Sequence, residues 1–161
     1  MEQVLHGKVA EGFGYASGRA ANTSPFSDAT LRLQHPHFLA RGVDLRQLVP
    51  DMFWGTINVE LDGEFDLVHA DHRVTIDWAA REPRPESRVA PELFQLLHCR
   101  LIHRGAEYAG LVYYPHPSTK PATNAHRYDV VEIIAPEVPG LANGDRVAVI
   151  CHAGAFVPRE N

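Results

Sequence analysis

The chain has 161 residues, of which 45% are hydrophobic and 22% are charged, and both values are ordinary for a single globular domain. A formal net charge of −5 argues against a general nucleic-acid-binding protein, because such proteins normally carry a basic face. Two cysteines, Cys99 and Cys151, cannot build a disulfide framework, and no stretch reaches the roughly 20 apolar residues of a membrane helix. We therefore expect one cytoplasmic domain over residues 1–161 that binds neither nucleic acid nor a membrane and keeps both cysteines as unreactive core thiols.

Apolar residues alternate with polar ones along much of the chain, a pattern that is typical of half-buried strands. The predicted strands, in chain order, are Val4–Ala10, Ile57–Leu61, His72–Ala79, Leu93–His103, Ala106–Tyr114, Tyr128–Ala135 and Arg146–Cys151. Val74, Ile76 and Trp78 are expected to share one face of the third strand. Arg104-Gly105 predicts a hairpin, and Asn143-Gly144 predicts a turn, because asparagine and glycine tolerate a positive φ.

Helical patterns are few. Asp44 is a candidate N-cap for a short helix that ends at Leu48. Part of Asp28–Arg41 favours a helix that Pro36 should interrupt or restart, because proline has no N–H to donate. Glu137–Leu141 favours at most one helical turn. Two polar segments are expected to be loops, Arg81–Pro91 and Ser118–Ala125. The whole pattern predicts a mainly β fold, a single closed β-barrel with a few short helices.

Gly55-Thr56-Ile57-Asn58 is the first candidate for a chemical role. Thr56 and Asn58 stand two residues apart on a predicted strand, so both side chains should point to the same face. A hydroxyl and an amide oxygen placed together can hold a hard cation such as Mg²⁺, with phosphate oxygens and waters completing the shell. The alternative is a turn glycine followed by two polar strand residues that face solvent.

A glycine-rich segment follows the first predicted strand and is the second candidate. It reads Gly12-Phe13-Gly14-Tyr15-Ala16-Ser17-Gly18. Small residues let the backbone approach a ligand closely, and successive N–H groups can cradle a phosphate. It is not a dinucleotide-binding fingerprint, because no βαβ unit follows it. A flexible turn is the alternative.

Glu132 is a single carboxylate within an apolar strand. Strand periodicity puts it on the face of Val130 and Ile134, where it would line a cavity and make a specific hydrogen bond. The alternative is an exposed position on the strand.

Ten histidines raise the possibility of a metal site. The closest groupings are His35-Pro36-His37 and His69-Ala70-Asp71-His72. Neither supplies a third ligand at a recognisable spacing, and a zinc site needs three or four converging ligands. Surface or hydrogen-bonded histidines are therefore favoured over a zinc site.

Five segments, taken together and in chain order, match the motifs of one known family. They are Gly7-Lys8-Val9, Gly12-Phe13-Gly14, Gly55-Thr56-Ile57-Asn58-Val59, Glu132-Ile133-Ile134-Ala135-Pro136 and Leu141-Ala142-Asn143-Gly144-Asp145-Arg146-Val147. In these segments the chain resembles the CTP-dependent riboflavin kinases of archaea. The resemblance implies a cradle-loop β-barrel and a phosphotransferase that moves the γ-phosphoryl group of a nucleotide to riboflavin or a related small-molecule hydroxyl, with Mg²⁺ as cofactor.

The resemblance also implies roles for individual residues. The nucleotide would contact Gly12, Phe13, Gly14, Tyr15, Ala16 and Ser17, together with Glu137, Val138, Pro139 and Gly140. Mg²⁺ would bind Thr56 and Asn58. The flavin would contact Glu132 and one threonine of the preceding loop, Thr123 or Thr119. No catalytic residue is identified.

Three functions remain open: a kinase, a non-catalytic binding module, and a different enzyme on the same barrel, because the fold alone does not determine the function. Thr56 and Asn58 favour a kinase, because they preserve the metal ligands that the resemblance implies. Ala16 stands where the family carries a third glycine, and Glu137-Val138-Pro139-Gly140 replaces its usual leucine-arginine pair. These two departures favour a non-catalytic module that binds a nucleotide, a flavin or another small ligand on the same barrel.

Overall fold

The computed structural model of the chain describes residues 1–10, 30–77, 91–119 and 127–160. Its strands are β1 (Glu2–Ala10), β2 (Ile57–Leu61), β3 (Phe65–Leu67), β4 (His72–Ile76), β5 (Glu92–His103), β6 (Ala106–Pro115), β7 (Val130–Ile134), β8 (Arg146–His152) and β9 (Phe156–Pro158). Its helices are α1 (Thr30–Ala40), α2 (Leu45–Leu48) and a 3-10 helix over Pro117–Thr119. The prediction of a mainly β fold with a few short helices is confirmed.

Seven strands form one large antiparallel sheet in the order β4-β5-β6-β7-β2-β1-β8. The long strand β5 also pairs with β8, through Arg100↔Ile150 to Ile102↔Ala148. The hydrogen bonds therefore run as a ring from β5 through β6, β7, β2, β1 and β8 back to β5. β3 and β9 pair only with each other.

Strand alternation gives the large sheet two different faces. The inner face carries a buried apolar cluster drawn from every strand of the ring, and Leu97, Leu101, Val112, Ile133 and Val149 belong to it. These side chains are the alternate residues of their strands, as a period of two requires. Both cysteines lie in this cluster as free, buried residues, which confirms that they are core thiols.

The outer face of β4, β5, β6 and β7 is covered by α1 and α2. Leu31 and Phe38 of α1 and Leu45 of α2 are fully buried against strand residues such as Phe94 and Ile134. Asp44 caps α2, since its carboxylate accepts a hydrogen bond from the backbone N–H of Arg46, as predicted.

One sequence expectation about helices is wrong. Helix α1 continues through Pro36, which is exposed within it. Tertiary packing of Leu31 and Phe38 holds the helix, and this outweighs the hydrogen bond that the proline cannot donate. Glu137–Leu141 forms a turn without a helix, because Gly140 adopts a φ of 75° and the N–H of Leu141 bonds the carbonyl of Val138.

The hairpin between β5 and β6 is confirmed. Ten residue pairs join the two strands, from Phe94↔Pro115 to His103↔Ala106. Arg104 and Gly105 at its tip have φ values of 51° and 78°, the pair of positive values that a tight hairpin turn requires.

The close approach of β1 to β2 requires glycine at position 7, because a Cβ on Gly7 would clash with the backbone carbonyl of Glu60 on β2.

The remaining expectations fall partly outside the described residues. Strand β4 ends at Ile76, with Val74 and Ile76 buried as predicted, whereas Trp78 and the segment 81–90 are not described. The strands β3 and β9 are additions that the sequence did not predict. No helix in the described ranges is long and apolar enough to cross a membrane.

Candidate functional site

The outer face carries one row of residues that are register partners across the sheet. The row consists of Ala10, Asn58, Glu132, Tyr113, Leu96 and His72, on β1, β2, β7, β6, β5 and β4. Directly opposed residues in antiparallel strands have their Cβ atoms about 4.5–5.5 Å apart. Asn58, Glu132 and Tyr113 are thus consecutive neighbours on one face.

Thr56 joins this row at Glu132. Its hydroxyl donates a hydrogen bond of 2.9 Å to Oε1 of Glu132, across 76 positions of sequence. Thr56, Asn58 and Glu132 are all half-buried. We call these three residues the oxygen group. The group brings the two predicted metal ligands to the carboxylate that was predicted to contact the flavin.

The segment between α2 and β2 fixes the position of Thr56. It runs beside the end of β7, where Met52 pairs with Pro136 and the N–H of Phe53 donates to the carbonyl of Ala135 at 2.9 Å. Asp51 turns the chain with a φ of 60°, which is uncommon for a residue other than glycine. The backbone thereby arrives at Thr56 beside Glu132.

Tyr113 extends the oxygen group beneath helix α1. Its ring is buried, and its hydroxyl donates a hydrogen bond of 2.5 Å to Oε1 of Gln34 on α1. Burial raises the pKa of the Tyr113 hydroxyl well above its ordinary value, and the nearby charge of Glu132 raises it further. Tyr113 is therefore a neutral hydrogen-bond donor at physiological pH.

Trp54 lies at the edge of the outer cluster, two residues before Thr56. It is partly buried. The guanidinium of Arg32 lies 5.5 Å from its ring centroid, and the ring of His35 meets it edge-on at 5.3 Å. Nδ1 of His35 is buried without a hydrogen-bond partner among the described residues. A cation, an imidazole and an indole thus adjoin the segment that leads to the oxygen group.

The predicted nucleotide-contacting turn, Glu137–Gly140, begins three residues after the end of β7 at Ile134. Val138 is only 8% exposed and packs in the inner-face cluster, whereas Glu137, Pro139 and Gly140 are exposed. Arg104 lies next to this turn, since its Nη1 atom is 3.6 Å from the position of a Cβ on Gly140. Val138 can therefore offer a ligand only its backbone, whereas Glu137, Pro139 and Gly140 are open to one.

Several predicted site residues fall outside the described part of the chain. They are Gly12, Phe13, Gly14, Tyr15, Ala16, Ser17 and Thr123. The last described residue before the glycine-rich segment is Ala10, which is the register partner of Asn58. Thr119 ends the 3-10 helix that follows β6.

The histidines are dispersed among hydrogen bonds and ring contacts. Within residues 1–10, 30–77, 91–119 and 127–160, no group of three or more His, Cys, Asp or Glu side chains is arranged to hold a metal ion. Nε2 of the buried His103 lies 2.9 Å from Oδ2 of Asp145, and the rings of His72 and His98 meet edge-on at 5.5 Å. These histidines therefore have hydrogen-bond or ring partners.

The oxygen group has the composition of a site for a hard cation. It offers a hydroxyl, an amide and a carboxylate, which are the donor types that Mg²⁺ and Ca²⁺ take. All three residues are half-buried. The sequence did not indicate a role for Tyr113 or Gln34. Tyr113 lies in a predicted strand, but two tyrosines stand side by side there. The pattern does not reveal whether Tyr113 or Tyr114 faces outward.

Comparison with known proteins adds no family assignment. No protein-family profile matches the chain, and a search of curated proteins finds no significant match.

Proposed function

We propose that this protein is a Mg²⁺-dependent phosphotransferase on a closed cradle-loop β-barrel, of the kind that moves the γ-phosphoryl group of CTP to riboflavin. The observation that carries the proposal is the oxygen group. Thr56 and Asn58, the two residues that the family resemblance gives to the metal, lie beside Glu132, which it gives to the flavin. Metal, phosphate and acceptor must meet at one point in such a reaction, so the convergence of these three residues supports it.

Asn58, Thr56 and the bound cation would each have a separate role in the reaction. Asn58 presents a neutral amide oxygen, and Thr56 presents a hydroxyl whose direction is fixed by its bond to Glu132. When bound there, Mg²⁺ would neutralise charge on the transferred phosphoryl group. Phosphoryl transfer needs positioning and charge neutralisation more than a strong base. The sequence identified no catalytic base, and this reaction does not require one.

The glycine-rich segment supplies the second part of the proposal. Strand β1 ends at Ala10, the neighbour of Asn58, and Gly12-Phe13-Gly14 follows in the sequence after one intervening residue, Glu11. Backbone N–H groups in a glycine-rich segment can hold phosphate without a lysine. A nucleotide held by this segment and by the exposed backbone at Pro139 and Gly140 would direct its phosphates towards the oxygen group.

A product assay tests the proposal directly. Purified protein is incubated with riboflavin, Mg²⁺ and one of CTP, ATP, GTP or UTP, and FMN is measured by chromatography. We expect FMN with one preferred nucleotide and none after chelation of the metal. Lack of FMN with all four nucleotides contradicts the riboflavin kinase assignment.

A non-catalytic ligand-binding module is the second candidate. The burial of Val138 favours it, because the side chain of one of the four residues expected to contact the nucleotide packs in the core instead. Ligand-induced shifts of the unfolding temperature distinguish the two functions. Stabilisation by a nucleotide that requires Mg²⁺ supports the kinase, whereas stabilisation by a nucleotide or flavin without metal supports the binding module.

A further inference from the structure

We infer that Glu132 is a direct third ligand of the cation, together with Thr56 and Asn58, rather than a contact to the flavin. The inference rests on the metal role that the proposed function gives to Thr56 and Asn58. It changes the character of the site, because two neutral ligands become a set that carries one negative charge.

The spacing of the oxygen atoms agrees with a small divalent cation. Oγ1 of Thr56 and Oε1 of Glu132 are 2.9 Å apart. Neighbouring ligands in an octahedral Mg²⁺ shell, each at 2.0–2.1 Å from the metal, are separated by roughly 2.9 Å. Ligands at the longer Ca²⁺ distances would stand roughly 3.3 Å or more apart in the same geometry. Both atoms can therefore bind one Mg²⁺ at their present separation.

The hydrogen bond between these atoms does not oppose metal binding. A hydroxyl oxygen carries two acceptor lone pairs, and an ionised carboxylate offers about four acceptor positions. The bond from Thr56 to Glu132 uses the hydroxyl hydrogen and one of those positions. The lone pairs of the Thr56 oxygen and the other acceptor positions of Glu132 are not used by this bond, so the bond itself holds two oxygen ligands in a fixed relation.

Asn58 is the candidate for a third ligand. It is the register partner of Glu132 on the adjacent strand, and it stands two residues from Thr56 in the chain. Strands β2 and β7 thus place Asn58 and Glu132 side by side, and a hydrogen bond ties Thr56 to Glu132. Placement on strands gives more precise ligand geometry than placement on loops.

This arrangement has a consequence that the two-ligand site lacks. Two neutral ligands depend on nucleotide phosphates to retain a divalent cation. A site that includes a carboxylate should bind the cation in the absence of nucleotide, because the charge is supplied by the protein.

The test is a titration of the nucleotide-free protein with Mn²⁺, followed by the electron paramagnetic resonance signal of the free ion. We expect the parent to bind Mn²⁺ and Glu132→Gln to bind at least tenfold more weakly, since the glutamine keeps the size and an acceptor oxygen but removes the charge. Glu60→Gln is the matched control. Glu60 is a half-buried carboxylate on the same face of β2, paired with Lys8 at 3.8 Å and Arg127 at 3.7 Å, and its variant should bind Mn²⁺ within twofold of the parent.

Thermal unfolding of each variant separates ligand loss from misfolding, and the inference requires Glu132→Gln to keep the parent's unfolding transition while losing Mn²⁺. Equal Mn²⁺ affinity of the parent and Glu132→Gln overturns the inference, as does a parent that binds no Mn²⁺ without nucleotide. The proposed function fails separately. Glu132-dependent Mn²⁺ binding without FMN formation supports the metal ligand and rejects the kinase, whereas FMN formation that is unaffected by Glu132→Gln supports the kinase and rejects the ligand.

Discussion

The inner-face and outer-face clusters lie on opposite sides of one sheet, and they differ in the groups that border them. Leu97, Val112 and Ile133 of the inner cluster are surrounded by other apolar side chains. The outer cluster meets a row of hydrogen-bonding groups at Tyr113, and the row continues to Glu132. A polar group on an enclosed face needs an internal partner, whereas at the edge of the outer cluster it can meet a ligand. The inner face therefore serves stability, and the outer face offers the site.

The largest expected effect is on the inner face. Leu97→Ala should lower the free energy of unfolding by about 2–5 kcal/mol, because it removes a fully buried side chain and leaves a cavity. Urea denaturation measures the loss, and Val4→Ala on the exposed side of β1 is the control, with an expected change below about 0.5 kcal/mol. Under conditions in which the Leu97→Ala variant is folded, its affinity for ligands should equal that of the parent. If Leu97→Ala lowered both stability and ligand affinity, the conclusion that the two faces have separate roles would be wrong.

In contrast to Leu97→Ala, Asn58→Leu should lower activity and leave stability largely unchanged. The side chain keeps a similar volume but loses its amide oxygen, so turnover in the proposed kinase reaction should fall by roughly 10²–10³-fold, the effect of removing one such interaction from a transition state. Steady-state assays with the preferred nucleotide measure this change. The controls His69→Ala and His72→Ala should alter turnover by less than about tenfold. An inactive histidine variant beside an active Asn58→Leu would reverse the assignment of the metal site.

Tyr113→Phe tests the boundary between the outer cluster and the oxygen group. Loss of the hydroxyl leaves Oε1 of Gln34 without this donor, so the free energy of unfolding should fall by about 1 kcal/mol. Tyr108→Phe, at a half-buried tyrosine on the inner side of the same strand, should change it by less than about 0.5 kcal/mol. Equal effects of the two substitutions would show that the Tyr113 hydroxyl adds nothing specific.

Asp145 supplies a pH-dependent contribution at the end of the sheet. The hydrogen bond from His103, followed by the N–H of Ala142, lowers the pKa of the Asp145 carboxyl below its ordinary 3.8. A lowered carboxyl pKa stabilises the folded state above the unfolded pKa, and that contribution is lost as pH falls through the folded pKa. Acid unfolding below about pH 4 should therefore be less steep in Asp145→Asn than in the parent. Identical acid limbs would contradict this linkage.

The thiols should show the smallest effect. Burial raises the pKa of Cys99 to about 12 and that of Cys151 to about 11. Thiolate is the reactive form, so a thiol reagent at pH 8 should label neither residue in the native protein and both after unfolding. Rapid native labelling would show that the inner face opens to solvent.

The sequence predicted most of the ring but little of what covers it. In strands such as β2 and β8, apolar and polar residues alternate over five or more positions, so the local sequence alone predicts these strands. β3 and β9 have three residues each, too few to establish a period of two. Helix α1 carries a proline and a weak amphipathic pattern, and its continuity depends on packing of Phe38 against Phe94, whose rings lie 5.2 Å apart. Such packing is a tertiary property that no local pattern contains.

The site divides in the same way. Thr56, Asn58 and Glu132 could be singled out because they are polar residues within or beside apolar strands, and the spacing of Thr56 and Asn58 correctly indicated a shared side. Their union with Glu132 depends on the pairing of β2 with β7, which are separated by about 70 residues. The contribution of Gln34 depends on where α1 packs. Long-range register and helix placement are therefore the missing information.

The register of the ring also determines the order in which the chain can fold. β5 and β6 are joined by two residues and share ten pairs, so this hairpin can form with little loss of loop entropy. β1 must wait for β8, because their ladder matches Glu2 with His152 and Lys8 with Arg146. During synthesis, β1 consequently remains without one of its two neighbours until His152 has been made, whereas the β5–β6 hairpin needs only residues that are close together in the sequence.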